Sequence, residues 1–215
     1  GSVADLVTHE VYERGVKVCS ANTIMAKYVA EGVLAYILAG LKHLPQQSWR
    51  LKNGGWNGDE IQQSLFSARV GLVGLGTIGR FLLELLRPFD VQVKVFDPYL
   101  GSGALAQYPY AAAASLEDTL AWGDVISIHA SLTPETRGML DASRLALIRD
   151  GALLVNTARG PIVVEPDLLR ELRSGRIHAV LDVYPVEPLP VESPLRSLQN
   201  VLLFPHSVGK TDRGV

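Results

Sequence analysis

Two rhythms of apolar residues divide this chain. From Asn22 to Leu44 the apolar positions recur at helical spacing, at Ile24, Met25, Val29, Val33, Leu34, Ile37, Leu38 and Leu41. The pattern predicts one long helix, with Ser20 or Asn22 able to cap its start and Lys27 and Glu31 four apart on an exposed face. Its apolar face is wider than one packing partner needs. Ahead of it, Val16 to Ala21 reads as a short strand; behind it, Pro45 to Glu60 reads as an irregular arm. From Arg69 onward, short β-branched runs alternate with helical segments. Strands are expected in RVGLVGL, VQVKVFD, DVISIHA, ALLVNTA, IHAVLDV and NVLLF, and helices in TIGRFLLELLRPF, SLEDTLAWG, DASRLALI and EPDLLRELRSG. Apolar strands separated by helices predict βαβ crossovers and an α/β fold, a doubly wound parallel sheet covered on both faces. The alanine run from Ala111 stands out only as a compositional bias.

The first chemical motif sits where the first of these strands turns into its helix. GLGTIG places Gly74, Gly76 and Gly79 in G-x-G-x-x-G spacing. As a bare pattern it is weak; between a strand and a helix it is a dinucleotide fingerprint. Gly74 permits the tight turn, Gly76 lets a pyrophosphate approach the backbone, and Gly79 lets helix and strand pack closely. The phosphates would meet free N–H groups at the positive end of the helix dipole. Asp97 ends the next strand, 18 residues after Gly79. A carboxylate there can accept both adenosine ribose hydroxyls and would repel a 2′-phosphate, which argues for NAD over NADP. Asp97-Pro98 could equally start a turn, and both uses can hold together. The expected architecture is thus a Rossmann-type NAD-binding domain.

Three polar residues lie at the ends of three later apolar segments: Arg159 after LLVNTA, Glu187 after AVLDVYPV and His206 after LLFP. Taken singly, each has an ordinary explanation as a solvated loop residue, a turn cap or a structural loop histidine. In an open parallel sheet, however, the carboxyl ends of the strands converge on one crevice. Arg159 can hold a carboxylate by a bidentate fork and polarise an adjacent carbonyl. His206 can move the proton that accompanies hydride transfer. Glu187 beside it would stabilise imidazolium and fix the tautomer. Together they describe NAD-linked interconversion of a 2-hydroxy acid and a 2-oxo acid, with no step that asks for a metal.

The sequence resembles the D-isomer-specific 2-hydroxyacid dehydrogenases, from about Val16 to Gly209. The resemblance is carried by YVAEGVLAYILAGLK, VGLVGLGTIGR, FDPY, HASLTPETRGML, LVNTARGPIVVEPDLLRELRSGRIHAVLDVYPVEPLP and PHSVG. It implies Arg159 as substrate anchor, Glu187 as partner and His206 as acid/base. It implies NAD contacts from Thr77 and Ile78, from Ala130 after His129, from Thr157, Ala158 and Arg159, and from Asp182 towards the carboxamide. His206 and Gly209 of PHSVG complete the expected cofactor-binding set. Ser131 stands where proline is frequent in the family, and Glu165-Pro166 where Asp-Glu is frequent. The related formate dehydrogenases carry glutamine at the place of Glu187, so Glu187 favours the hydroxyacid branch. Members of the family have a second, substrate-holding domain. Residues 1–15 resemble its tail, and 16–215 resemble the cofactor domain, with a dimerisation helix and arm at about 22–60. The resemblance also covers NAD-sensing, corepressor-like interaction proteins without turnover, which is the alternative to an enzyme. It implies a homodimer.

Composition narrows the partners. With 215 residues, 47% of them hydrophobic, the chain can bury a substantial core. Twenty basic and 22 acidic residues leave a net charge of −2, spread evenly, which gives no footprint for nucleic acid or an anionic membrane. The best apolar stretch, Val29 to Leu41, contains Glu31 and reads as too short to span a bilayer. Cys19 is the only cysteine, so neither a disulfide framework nor a thiolate metal site is expected, and a reducing cytoplasmic setting is the default.

Overall fold

A computed structural model describes residues 7–19, 22–58 and 61–213. After the single helical turn α1 (His9–Glu13), the chain forms α2 (Asn22–Leu41) and α3 (Leu44–Lys52). The strands follow: β1 (Arg69–Val73), β2 (Gln92–Phe96), β3 (Ala111–Ala113), β4 (Val125–Ile128), β5 (Leu153–Asn156), β6 (His178–Leu181) and β7 (Val201–Leu203). They pair in the order β3-β2-β1-β4-β5-β6-β7, and every pairing is parallel. The order reverses beside β1, where β2 lies on one side and β4 on the other. That reversal opens a crevice at the carboxyl ends of β1 and β4.

Helices cover both faces, as crossovers between parallel strands require. On one face lie α2 and α4 (Thr77–Leu86); on the other lie α5 (Leu116–Trp122), α6 (Ala142–Leu145) and α7 (Glu165–Arg173). In α4 the buried residues are Gly79, Leu82, Leu83 and Leu86, one helical stripe. Each fully buried leucine contributes about 1.5–3 kcal/mol of transfer free energy. Two starts are capped as their sequences prescribe: the Ser115 hydroxyl accepts the amide of Asp118, and the Asp141 carboxylate that of Arg144.

Several expectations are corrected. Residues 16–19 form no strand: the Val16 amide turns back to the Val11 carbonyl, and Val16 and Val18 are exposed. Positions 20 and 21, including the proposed Ser20 cap, lie outside the described residues. The long helix stops at Leu41 rather than Leu44, because His43 takes a left-handed conformation (φ 49°). The supposed irregular arm begins with α3, which Pro45 can open because the first turn has no need of its N–H. The alanine run is the edge strand β3. It exists by pairing with β2, Val93 opposite Ala111, rather than by propensity. Finally, α2 is 20 residues long and apolar enough to cross a membrane by length and composition. Here Ala26, Ala30, Val33, Ile37, Gly40 and Leu41 are buried against α4, β5 and β6.

Candidate active site

The glycine turn adopts the form its spacing predicts. Gly74 has φ +99°, and a Cβ there would stand 2.7 Å from the Ala130 amide nitrogen, so any side chain would drive the turn off the end of β4. Gly76 faces open space, with nothing within 4 Å of an added Cβ. A Cβ added at Gly79 would stand 3.0 Å from the Gly74 carbonyl oxygen, so helix and turn approach closely there. Thr77 starts α4 and Ile78 follows it, and no side chain caps that N-terminus. The amides of the first turn are therefore left to a ligand, and a pyrophosphate fits them.

Asp97 stands just beyond β2 and is tied to this turn. Its Oδ2 accepts the Leu75 amide at 2.7 Å, and its Oδ1 accepts the Tyr99 amide at 2.9 Å. It is at once a turn residue and a brace, and each oxygen keeps a lone pair for a ribose hydroxyl. His129 and Ala130 lie just past β4. The His129 Nε2 is 2.9 Å from the Ser127 hydroxyl, and burial pushes its imidazole down to about 4. These groups line the crevice beside β1, and an adenine dinucleotide fits this wall.

The other end of the crevice holds the three polar residues that the sequence places at later strand ends. Asn156, the last residue of β5, is buried and shapes the turn beyond it: its Oδ1 accepts the Ala158 amide at 3.1 Å, and its Nδ2 donates to the Arg159 carbonyl at 3.2 Å. Thr157 is buried within that turn. Arg159 Nη1 donates to the Ala158 carbonyl at 2.7 Å. Gly160 lies so close to the Tyr184 carbonyl that an added Cβ would overlap it, which locks the Arg159 turn onto the segment after β6. His206 Nδ1 is 2.7 Å from Glu187 Oε2, while Glu187 Oε1 accepts the Tyr184 amide at 2.9 Å. Partial burial alone would raise Glu187; hydrogen bonds from His206 and the Tyr184 amide, with the nearby Arg159 charge, hold it below its usual range. The structure thus brings Arg159, Glu187 and His206 together. The His206 and Glu187 side chains remain 46% and 36% exposed, so a substrate can reach them.

Asp182 stands just beyond β6 and is fully buried. Its two oxygens accept the Ser207 amide at 2.9 Å and the Val208 amide at 3.0 Å, so in this structure it holds the histidine loop. Gly209 packs on α2, where a Cβ would meet Val29 at 2.9 Å. Asn156, Tyr184 and Tyr36 were not singled out by sequence. Asn156 does its work from inside a strand motif, and the tyrosines act through contacts far apart in the chain. Two open cavities lie away from this site. One, of about 450 Å³, is bounded by α3 with Trp56, Asn57, Gly58 and Gln62; the other, of about 440 Å³, by Leu41, Phe66 and Asp124. Neither touches the triad.

Residues 34–208 match the family described as D-isomer specific 2-hydroxyacid dehydrogenase, NAD binding domain. The chain is 36% identical over 195 residues to D-3-phosphoglycerate dehydrogenase of Mycobacterium tuberculosis, covering 90% of this chain and 37% of that protein. It is 32% identical over 213 residues to human glyoxylate reductase/hydroxypyruvate reductase, covering 97% of this chain and 65% of that one. It therefore spans between about a third and two thirds of these relatives. Among solved structures, a D-isomer specific 2-hydroxyacid dehydrogenase from Xanthobacter autotrophicus Py2, in complex with NADPH and MES, superposes with a TM-score of 0.76 at 33% identity. The overlap covers 88% of this chain and 60% of that one.

Proposed function

The chain belongs to the D-isomer specific 2-hydroxyacid dehydrogenase family, of which it carries the NAD-binding domain, and from that premise we propose that it is the cofactor-holding part of an enzyme interconverting a D-2-hydroxy acid and a 2-oxo acid. The observation that carries the reading is the His206–Glu187 hydrogen bond at the mouth of the crevice. NAD(H), when bound, supplies or accepts the hydride. The Gly74–Gly79 turn would hold the pyrophosphate and Asp97 the adenosine ribose. Arg159 would grip the substrate carboxylate by its fork.

The carboxylate on Nδ1 fixes the His206 tautomer, so Nε2 is the nitrogen that exchanges a proton with substrate. In reduction, Nε2 of the imidazolium donates to the oxygen of the reacting carbonyl; in oxidation it takes that proton back. Glu187 stays ionised throughout and offsets the imidazolium charge.

A second domain, contributed by sequence on both flanks, would supply the opposite wall, orient the oxo acid and exclude water. The substrate class follows from the fork and the acid/base pair, and the side chain of the acid would be chosen by that other wall. We place the protein in the cytoplasm, as a homodimer joined through α2 and the arm that bears Trp49 and Trp56. The test is reduction of glyoxylate, pyruvate and hydroxypyruvate by NADH, comparing this chain with the same chain extended at both ends. Failure of the extended protein to turn over any 2-oxo acid, with NADH still bound, would favour a cofactor-sensing interaction protein instead.

A further inference from the structure

The loop that carries His206 is anchored on both sides. Upstream, the Phe204 carbonyl accepts the Tyr184 hydroxyl at 2.9 Å. Downstream, the Ser207 and Val208 amides donate to Asp182. Between these anchors His206 has φ +51°, a left-handed conformation that a non-glycine residue keeps only when its surroundings hold it there.

One side chain from α2 reaches both anchors. The Tyr36 ring stacks on Phe204, with centroids 4.0 Å apart and planes within 13°. Its hydroxyl donates to Asp182 Oδ1 at 3.2 Å, the oxygen that also takes the Ser207 amide. Burial pushes Tyr36 up to about 12, so the hydroxyl remains a protonated donor at any working pH. A buried carboxylate is stable only with its lone pairs filled, and here three donors fill Asp182: two amides of the histidine loop and Tyr36.

We infer that Tyr36 is a positioning residue for the acid/base: by completing the shell of Asp182 and stacking on Phe204, it keeps the His206 loop in the left-handed turn that sets the imidazole against Glu187. The kinetic consequence rests on the dehydrogenase reading above; the structural one does not.

Tyr36→Phe removes one hydroxyl and keeps the ring and its stack. Three quantities are read: on this chain, the Nδ1–H resonance of His206 by NMR and the exchange of the Ser207 and Val208 amides; on the chain extended at both ends, kcat and KM for glyoxylate reduction. The Nδ1–H resonance of His206 should broaden through exchange with water as its contact with Glu187 loosens. The two amides should exchange about tenfold faster. The kcat should drop about tenfold while KM stays within about twofold, the mark of lost positioning rather than lost binding. Phe204→Leu, which removes the stack and leaves the Tyr36 hydroxyl on Asp182, should speed the exchange of the same amides by less, and it carries the test if Tyr36→Phe fails to fold. An unchanged His206 Nδ1–H resonance with unchanged amide exchange in the variants that fold overturns the inference. If the extended wild-type protein reduces no 2-oxo acid at all, the dehydrogenase reading falls, and the NMR measurements still decide the role of Tyr36.

Discussion

Glu187 and His206, 19 residues apart in sequence, meet through a single 2.7 Å hydrogen bond between Oε2 and Nδ1. The other oxygen of Glu187 is held by the Tyr184 amide, so the carboxylate cannot swing away without breaking a second bond. Glu187→Gln keeps the shape and removes the charge. Reduction of a 2-oxo acid should then fall about 100-fold in kcat/KM, within the usual range for a disturbed general acid. Glu187 is depressed in the folded state, so its contribution to stability is present above the ordinary carboxylate range and is lost as pH falls through its folded value. Urea unfolding of the two proteins between pH 3 and 7 should show the variant with the flatter dependence. Equal kcat/KM for the two proteins would remove Glu187 from the mechanism.

Asp97 predicts the choice of cofactor. Its carboxylate is pinned by the Leu75 and Tyr99 amides and cannot retreat from a 2′-phosphate. NADH should bind more tightly than NADPH in a fluorescence titration. The NADPH complex of the Xanthobacter relative makes this a sharp test, since comparable affinities would refute it. Asp97→Ala should weaken NADH binding by about 1–3 kcal/mol, the cost of a lost charged hydrogen bond, and narrow the gap between the two cofactors.

His129 predicts a stability window. Its imidazole titrates near 6.5 in an unfolded chain and about 4 when folded, so the unfolded state binds the extra proton between those values. Full stability is therefore present above about pH 6.5 and is lost as pH falls towards 4, by at most about 3 kcal/mol, with no further loss from this group below that. Denaturation of His129→Gln beside the wild type should show this slope missing from the variant.

Gly160 predicts a packing failure that reaches the substrate anchor. A methyl group there collides with the Tyr184 carbonyl, backbone that cannot step aside. Gly160→Ala should cost about 3 kcal/mol or more, at the upper end for a single substitution. Calorimetry should show the lower Tm, and NADH binding should weaken less than turnover, because the glycine turn lies on other strands.

Assembly can be weighed in the same way. The buried face of α2 is spent on its own sheet, which leaves Ile24, Trp49, Leu51, Trp56 and Ile61 exposed on α2, α3 and the arm. Light scattering at micromolar concentration should find a dimer, and Trp49→Ser with Trp56→Ser should shift it to monomer. A wild-type monomer would count against the proposal.

The strands that carry chemistry were legible because each is a continuous apolar run whose ends coincide with a polar residue. The reading failed where pairing, not composition, made the element. Ala111–Ala113 is a strand because Val93 and Val95 of β2 offer it a ladder. Val16 and Val18, better strand formers, have no such neighbour. The triad was visible because a parallel sheet sends all its strand ends to one side. Its supports were not: Tyr36 reaches Asp182 across 146 positions, a contact that no local pattern announces.

The position of β7 sets an order of failure. It has only three residues, lies at the margin of the sheet and pairs with β6 alone, yet His206 hangs just beyond its end. The nucleotide turn belongs to β1 at the sheet's centre, flanked on both sides. Peripheral segments with few neighbours open at lower free energy than central ones. On warming, or in mild denaturant, β7 should detach first, silencing proton transfer while the centre still grips NADH. Inactivation would then precede global melting, and bound cofactor would protect the fold without protecting the catalyst.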